Sequence, residues 1–179
     1  GEESPLREKA EIYNQPLSDS ENINVHFIDV GQGSSVLIQQ GSQGILIDSG
    51  EDDYGETLCN YISSVGVTEI PYMIATHPHS DHIGGIPEVL EEFGADNIIM
   101  PRLTKEQTPT NSTYKAFLTA LQNSDAKIIS AKPGLKFSLN DAEFEILGPV
   151  TNDCEDINSM SAVTKITYGE KSFLITGDA

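Results

Sequence analysis

The segment that decides the fold runs from Thr76 to Gly85 and reads THPHSDHIGG. It holds three of the chain's four histidines and one aspartate. Imidazole and carboxylate groups are common ligands of borderline divalent metals. Residues two apart in an extended segment point the same way, so His77 and His79 can bind one ion, and Asp81 and His82, after a bend, can face a second. The pattern predicts a metal-binding loop, with a solvated polar loop as the alternative.

Short apolar runs on both sides of this loop predict a layered α/β structure. Residues 72–75 are typical of a buried strand, and residues 87–93 form a helical pattern that begins near Pro87 and ends before Gly94. Further helices are expected from residues 56 and 111. Further strands are expected at 23–30, 34–40, 44–50, 97–100, 127–130, 143–148, 162–168 and 171–176. A strand meander, then strand–helix–strand units, then hairpins favours an α/β sandwich over a doubly wound parallel sheet.

Length, charge and hydropathy limit the number of domains and exclude several classes of protein. Its 179 residues correspond to one domain, and 10 Lys and Arg against 28 Asp and Glu leave a net charge of −18. Such an acidic surface excludes a general nucleic-acid coat. No stretch approaches the roughly 18 uninterrupted apolar residues of a membrane span. Cys59 and Cys154 lack a C-x-x-C spacing, and a disulfide between them stays open.

The two ends of the chain carry separate expectations. Residues 1–22 are acidic and almost without apolar periodicity, so they are predicted to form a flexible leader before a domain at residues 23–179. The acidic leader slightly favours an extracellular or surface-anchored location over a cytoplasmic one. The chain stops at Ala179 directly after an apolar strand pattern, which suggests that the natural polypeptide continues and that the C-terminal part of the domain is missing.

The histidine-rich motif His77-x-His79-x-Asp81-His82 resembles the signature of the metallo-β-lactamase superfamily. FIDVGQG at 27–33, LIDSG at 46–50 and SFLITGDA at 172–179 occur in an order similar to the hydrolase domain of bacterial ComEC-type DNA-uptake proteins and their stand-alone relatives. The resemblance implies a four-layer αββα sandwich, here incomplete at its C-terminus.

The resemblance also implies a set of metal ligands. His77 and His79 would bind the first ion, Asp81 and His82 the second, and Asp178 would bridge the two. Two divalent ions are implied. Zinc is the metal that the resemblance favours, with manganese or iron as alternatives. Asp48 would support catalysis by holding the metal-binding loop through hydrogen bonds. From the sequence alone, Asp48 or Asp178 can also be ordinary turn residues.

Three departures from the family pattern affect this site. Ser34 stands where many relatives have an acid after Gly-Gln-Gly. Asn158 lies where the superfamily often has a first-site histidine, and its neutral amide oxygen would be a weaker ligand. The family's final histidine would fall beyond Ala179, so the second ion is expected to have an incomplete shell and the chain to load metal only in part.

The expected reaction is hydrolysis. Two divalent ions lower the pKa of a shared water and stabilise charge on a scissile group, and Asp81 is predicted to hold the attacking water in line. The substrate class predicted is a phosphodiester or phosphoester, either nucleic acid or a small molecule; β-lactams are disfavoured because the match lies in another branch. The alternatives are a catalytically inactive metal-binding or partner-binding module, and a redox or thioester enzyme of the same superfamily.

The remaining polar residues give weaker signals. His26 lies within a predicted strand and is interpreted as structural, and the default for each cysteine is an idle thiol. The acidic run at residues 51–53 is interpreted as a solvated loop, with a substrate-selecting rim as the alternative. Residues 31–33 link two strands and lack a following lysine, so they do not form a phosphate-binding loop.

Overall fold

Two β-sheets packed face to face form the centre of the computed structural model, which describes residues 22–151 and 155–179. The predicted leader, apart from Asn22, and Cys154 lie outside these residues. The first sheet has strand order β1-β2-β3-β4-β5-β6, with the strands Asn24–Phe27, Val36–Gln40, Gln43–Ile47, Glu69–Ile74, Asn97–Met100 and Lys127–Ser130. The second has order β10-β9-β8-β7 and is built, from β7 to β10, of Lys136–Leu139, Ala142–Ile146, Thr164–Tyr168 and Lys171–Ile175.

Within residues 22–151 and 155–179, four helices connect these strands. They are α1 Gly55–Ser64, α2 Ser80–Ile83, α3 Ile86–Glu92 and α4 Ser112–Asn123, with 3₁₀ turns at Asp52–Tyr54 and Ile157–Met160. The side chain of Asn111 caps α4 because its Oδ1 accepts a hydrogen bond from the backbone N–H of Tyr114 at 2.8 Å. Within the described ranges, none of the helices has the length and hydrophobicity that a membrane span requires.

Strand direction places the functional loops at one edge of the first sheet. Strands β1, β2 and β3 pair antiparallel, whereas β3 to β6 pair parallel in chain order. Parallel neighbours end at the same edge, so Asp48, which follows β3, lies beside the segment that follows β4. The second sheet is antiparallel throughout, and its last strand β10 delivers Asp178.

Two hydrophobic cores hold the layers together. Leu58, Val89 and Phe117 of helices α1, α3 and α4 pack on one face of the first sheet. Between the sheets, Ile45 of β3 and Phe144 of β8 belong to a second buried cluster. Strands β2 to β4 are therefore covered on both faces. This explains why their sequences are nearly continuous apolar runs.

The predicted layered α/β sandwich is confirmed. The described residues form a layer of helices, the first sheet and the second sheet, in that order. The outer face of the second sheet carries charged side chains: Lys136 lies 3.5 Å from Glu143 and 3.9 Å from Glu145. Within the described segments, charged side chains occupy this face and no helix packs against it.

Several local predictions were incomplete. Strand β7 was missed because Lys136 and Ser138 interrupt its four-residue apolar pattern. Helix α2 was predicted as loop, since its four residues are too few to show helical periodicity. The first strand was expected to extend to Val30, but it ends at Phe27, whose side chain is 76% exposed.

Candidate metal centre

The metal-binding loop begins two residues after β4 and turns into helix α2. Its glycines permit close backbone packing: the backbone N–H of Gly84 donates to the carbonyl of Gly50 at 2.8 Å, and a Cβ on Gly84 would collide with the backbone at Asp52. Ser49 N donates to the carbonyl of His82 at 2.7 Å. The loop is thus fixed against the segment that follows β3.

Asp48 holds both ends of this loop. Its Oδ1 accepts from the backbone N–H of Thr76 at 2.8 Å, and its Oδ2 accepts from Thr76 Oγ1 and from His82 Nδ1, each at 2.7 Å. The residue is 1% exposed and has a φ of +60°, an unusual value for a non-glycine residue. These are the loop-holding contacts expected of Asp48, and a strained backbone of this kind is typical of functional sites.

The hydrogen bonds around Thr76 determine which nitrogen of His77 is free. Thr76 has one hydroxyl proton, which it donates to Asp48, so its Oγ1 can only accept from His77 Nδ1–H at 3.0 Å. His77 Nε2 therefore presents a lone pair to the cluster. By the same reasoning, His82 donates its Nδ1–H to Asp48 and directs Nε2 to the opposite side.

Asp178 lies between these two histidines. Its Oδ2 is 3.6 Å from His77 Nε2, and its Oδ1 is 3.3 Å from His82 Nε2. On the first side, His79 Nδ1 is 3.1 Å from His77 Nε2, and ligand atoms of His77, His79 and Asp178 all lie within 4.8 Å of one another. On the second side, Asp81 Oδ2 is 3.9 Å from His82 Nε2. Among the described residues, His77, His79 and Asp178 thus form one group of three ligand candidates, whereas Asp81 and Asp178 each approach His82 in separate pairwise contacts.

The two buried histidines have opposite titration behaviour. Burial, together with the charges of His82 and His79, lowers the pKa of His77 to about 4, so its imidazole is neutral at pH 7. Burial would also lower the pKa of His82, but the hydrogen bond and charge of Asp48 and the charges of Asp178 and Asp81 outweigh it and raise that pKa. The second position therefore favours positive charge, which a proton or a metal ion can supply.

Asn158 is held near the cluster through Ser161. Its carbonyl accepts from Ser161 N at 2.9 Å, and Ser161 Oγ lies 3.3 Å from His77 Nδ1 and accepts from Asp178 N at 3.3 Å. The side-chain Oδ1 of Asn158 is buried and has no hydrogen-bond donor among the described residues. The imidazole and carboxylate set of His77, His79 and Asp178 fits a metal site, and the role of Asn158 as a further ligand stays a prediction.

Sequence reasoning missed three supporting residues. Thr76 sets the His77 tautomer, and Ser161 links His77 to Asp178, but hydroxyl residues carry no spacing signal. Gly33, with a φ of +103°, lies so close to Asp81 that a Cβ there would collide with the Asp81 carbonyl. Ser34 N donates to that same carbonyl at 3.2 Å. The Gly-Gln-Gly turn therefore supports the backbone of Asp81. In the sequence, the only indication of this role is the pair of glycines beside the end of a strand.

A cleft of about 720 Å³ opens beside the metal centre, and His79, Ser80 and Asp81 line part of it. Residues 51–53, the acidic rim considered from sequence, are not among its lining residues. His26 hydrogen-bonds to Tyr61 Oη at 3.0 Å and to Gln39 Oε1 at 2.9 Å, in agreement with a structural role. Cys59 is a buried free thiol, as expected.

A family model described as the Metallo-beta-lactamase superfamily matches residues 28–179. The chain belongs to the metallo-β-lactamase superfamily. Its curated relatives include Recombination protein 2 of Haemophilus influenzae, 28% identical over 160 residues that cover 87% of this chain and 18% of the relative. ComE operon protein 3 of Bacillus subtilis is 25% identical over 185 residues, covering 93% of this chain and 23% of that protein.

The metallo-β-lactamase fold is also found in the solved structures. A HARLDQ-motif metallo-β-lactamase mutant from Cronobacter sakazakii superimposes with a TM-score of 0.59 at 18% identity, covering 92% of this chain and 64% of that one. At this identity the likeness concerns the fold alone. The chain therefore spans about a fifth of its ComEC-type relatives and about two thirds of this solved metallo-β-lactamase.

Proposed function

We propose that this metallo-β-lactamase-fold domain is a metal-dependent hydrolase of phosphodiesters or phosphoesters. The observation that carries the proposal is the position of Asp178, with one carboxylate oxygen facing His77 Nε2 and the other facing His82 Nε2. Because each imidazole has its Nδ1 engaged on the protein side, both Nε2 atoms are available as ligands.

Each residue has a distinct task. His77, His79 and Asp178, with Asn158 as a further candidate, would hold one ion, and Asp81, His82 and Asp178 would hold the other. Zinc is the first expectation, with manganese or iron as alternatives. When bound, such ions lower the pKa of water and neutralise charge at the scissile group. Asp48 keeps both Nε2 atoms directed at the centre through its contacts with Thr76 and His82.

Asp81 is the residue we assign to the attacking water. Its side chain is 25% exposed and lines the cleft, so it can reach both solvent and substrate. A carboxylate at this position orients the water and accepts its proton, a contribution of about 10²–10⁴-fold in rate. The contacts of Gly33 and Ser34 with the Asp81 backbone keep this carboxylate in place.

The substrate class is inferred from the ComEC-type relatives. By their names, one of them is a recombination protein, another is a ComE operon protein and a third, from Neisseria gonorrhoeae, is a competence protein. These names favour a phosphodiester over a β-lactam, and nucleic acid and small phosphodiesters are both within the proposal.

Metal content and hydrolysis, measured together, test the proposal. The chain loaded with zinc or manganese is expected to hydrolyse bis(4-nitrophenyl) phosphate, and Asp81→Asn is expected to lose at least about 100-fold in kcat while staying folded. His77→Ala is expected to lower metal per chain in elemental analysis, whereas His26→Gln serves as the matched histidine control and keeps it. Unchanged turnover in Asp81→Asn, or unchanged metal in His77→Ala, would contradict the assignments.

The second candidate function is a metal-binding or partner-binding module without turnover. It is favoured by Asn158, because a neutral amide is a weaker ligand than the histidine usual there in the family. The same experiment separates the two: a chain that binds metal at His77 and His79 but hydrolyses no phosphoester would be such a module.

A further inference from the structure

The walls of the cleft beside the metal centre carry negative charge. Its lining includes His79, Ser80 and Asp81, which belong to the loop of the candidate metal centre, and the two glutamates Glu106 and Glu155. Among the described residues, none of those that line the cleft is a lysine or arginine. Arg102 and Lys105, on the same segment as Glu106, do not line it. Among the described residues that line the cleft, positive charge would therefore be supplied by the candidate metal centre.

The wall that carries Glu106 is a folded turn. Thr104 N donates to Gln107 Oε1 at 2.9 Å, Gln107 N donates back to Thr104 Oγ1 at 3.3 Å, and Thr108 Oγ1 donates to the carbonyl of Thr104 at 2.7 Å. These local hydrogen bonds fix the backbone on both sides of Glu106. Asn111, further along the same wall, is held by its N-cap bond to Tyr114.

This arrangement distinguishes two parts of a substrate. A phosphoryl group beside His79 and Asp81 would meet the cations that the imidazoles and carboxylates would bind. A substituent elsewhere in the cleft would meet Glu106 and Glu155, and the Lys ion pairs of the described residues involve other glutamates. A polyanion would place further phosphates against these carboxylates, in a protein whose net charge is already −18.

We propose that the cleft selects small phosphodiesters with a positively charged substituent beyond the phosphoryl group, and disfavours polyanions such as nucleic acid. This inference rests on the proposed hydrolase function and names its substrate class. Glu106 and Glu155 are specificity residues that receive the cationic substituent, and Thr104, Gln107 and Asn111 supply neutral polar contacts along the same wall.

Three diesters with one leaving group test this proposal. They are 4-nitrophenyl phosphorylcholine, its neutral 3,3-dimethylbutyl isostere, and a 4-nitrophenyl diester with a terminal carboxylate. With the metal-loaded chain at low ionic strength, kcat/KM should fall in that order, with about tenfold between the first and last compounds, a factor that salt screening should reduce. Equal rates, or a faster anionic diester, would overturn the preference.

Matched variants test whether the preference for a cationic substituent arises from residues of the cleft. The double variant Glu106→Gln/Glu155→Gln is expected to reduce the tenfold ratio to less than about threefold while bis(4-nitrophenyl) phosphate is still hydrolysed. Glu91→Gln/Glu170→Gln changes the net charge equally at exposed positions outside the cleft and should keep the ratio. An unchanged ratio in the cleft variant, or an equal loss in the control, would overturn the assignment to Glu106 and Glu155.

Failure of the hydrolase proposal would look different. If the metal-loaded chain hydrolyses none of the diesters, the proposed function fails, and calorimetric affinities of the same three compounds then decide the charge preference. Tightest binding of the phosphorylcholine diester supports it, and equal or reversed affinities reject it. Cleavage of a 20-nucleotide single-stranded DNA with a higher kcat/KM than the phosphorylcholine diester would also reject it.

Discussion

Asp48 accepts a 2.7 Å hydrogen bond from His82, a residue 34 positions later in the chain, and both side chains are almost fully buried. The same carboxylate accepts two hydrogen bonds from Thr76. One aspartate therefore fixes the orientation of a metal-ligand candidate and the start of the loop that carries the others.

Asp48→Asn should weaken metal binding without removing a ligand. The amide cannot accept three hydrogen bonds in the same way and has no charge to favour a cation at His82. Loss of such an outer partner typically costs about 10–100-fold in metal affinity. Zinc affinity measured by chelator competition checks this, with Asp53→Asn at an exposed position as the control. Equal affinity in Asp48→Asn and the parent chain would show that Asp48 only closes a turn.

Gly33→Ala should reduce hydrolysis through the backbone of Asp81. Gly33 and Gly134 both have a φ in the left-handed region, +103° and +88°, so alanine at either position costs about 1 kcal/mol or more in backbone strain. A Cβ on Gly33 would also collide with the Asp81 carbonyl, whereas one on Gly134 would meet nothing within 4 Å.

Gly134→Ala is therefore the matched control for this effect. Urea unfolding should show a loss of stability in both variants, and kcat should fall only in Gly33→Ala. A similar fall of kcat in both variants would mean that the turn does not act through Asp81.

The metal-free protein should become less stable as the pH falls from 6.5 towards 4. The folded pKa of His77 is about 4, below its ordinary value of 6.5, so in this range the unfolded chain binds more protons than the folded one. The stability that a neutral His77 contributes is complete above pH 6.5 and is lost as the pH decreases through this window.

Urea unfolding in the presence of a chelator, repeated at several pH values, measures this slope. His77→Gln removes the titrating group and should make the slope between pH 4 and 6.5 less steep, and His26→Gln provides a histidine control. The prediction fails if the slope in His77→Gln equals that of the parent chain.

Cys59 should be almost unreactive in the folded protein. Burial, together with the carboxylates of Glu92 and Glu88, raises the pKa of its thiol to about 12 from 9.0, which reduces the thiolate fraction at pH 8 by roughly a thousandfold. Iodoacetamide labelling of a Cys154→Ser variant, followed by mass spectrometry, should show slow labelling in buffer and fast labelling in urea. Fast labelling in buffer would indicate that α1 opens from the sheet.

The sequence could predict that four of the candidate ligands lie close together, because they fall within six residues. His77, His79, Asp81 and His82 belong to one segment, so their proximity follows from local geometry. Asp178, 96 positions after His82, could be placed beside them only through the family resemblance, since the pairing depends on how the two sheets pack. The four-residue strands β5 and β6 were predicted because each contains adjacent isoleucines, whereas β7, with Lys136 and Ser138 between its apolar residues, and the polar helix α2 were not.

The residues that line the cleft could not be predicted from the sequence. The acidic run at residues 51–53 was the visible candidate for a charged rim, yet Glu106 and Glu155 line the cleft instead. They are 49 positions apart in the chain, and each looks like an ordinary surface residue in its local context. Their common position depends on tertiary packing, which brings lining residues from 104–111 and from 155–157 to the same cleft.

The candidate metal centre combines residues from both sheets, since the histidines follow β4 and Asp178 follows β10. An ion bound there would act as a cross-link that neither hydrophobic core provides. Loss of the ion would therefore first increase the rate of amide exchange in the β9–β10 hairpin. Hydrolytic activity and the local stability of the C-terminal hairpin would then both depend on the same bound ion.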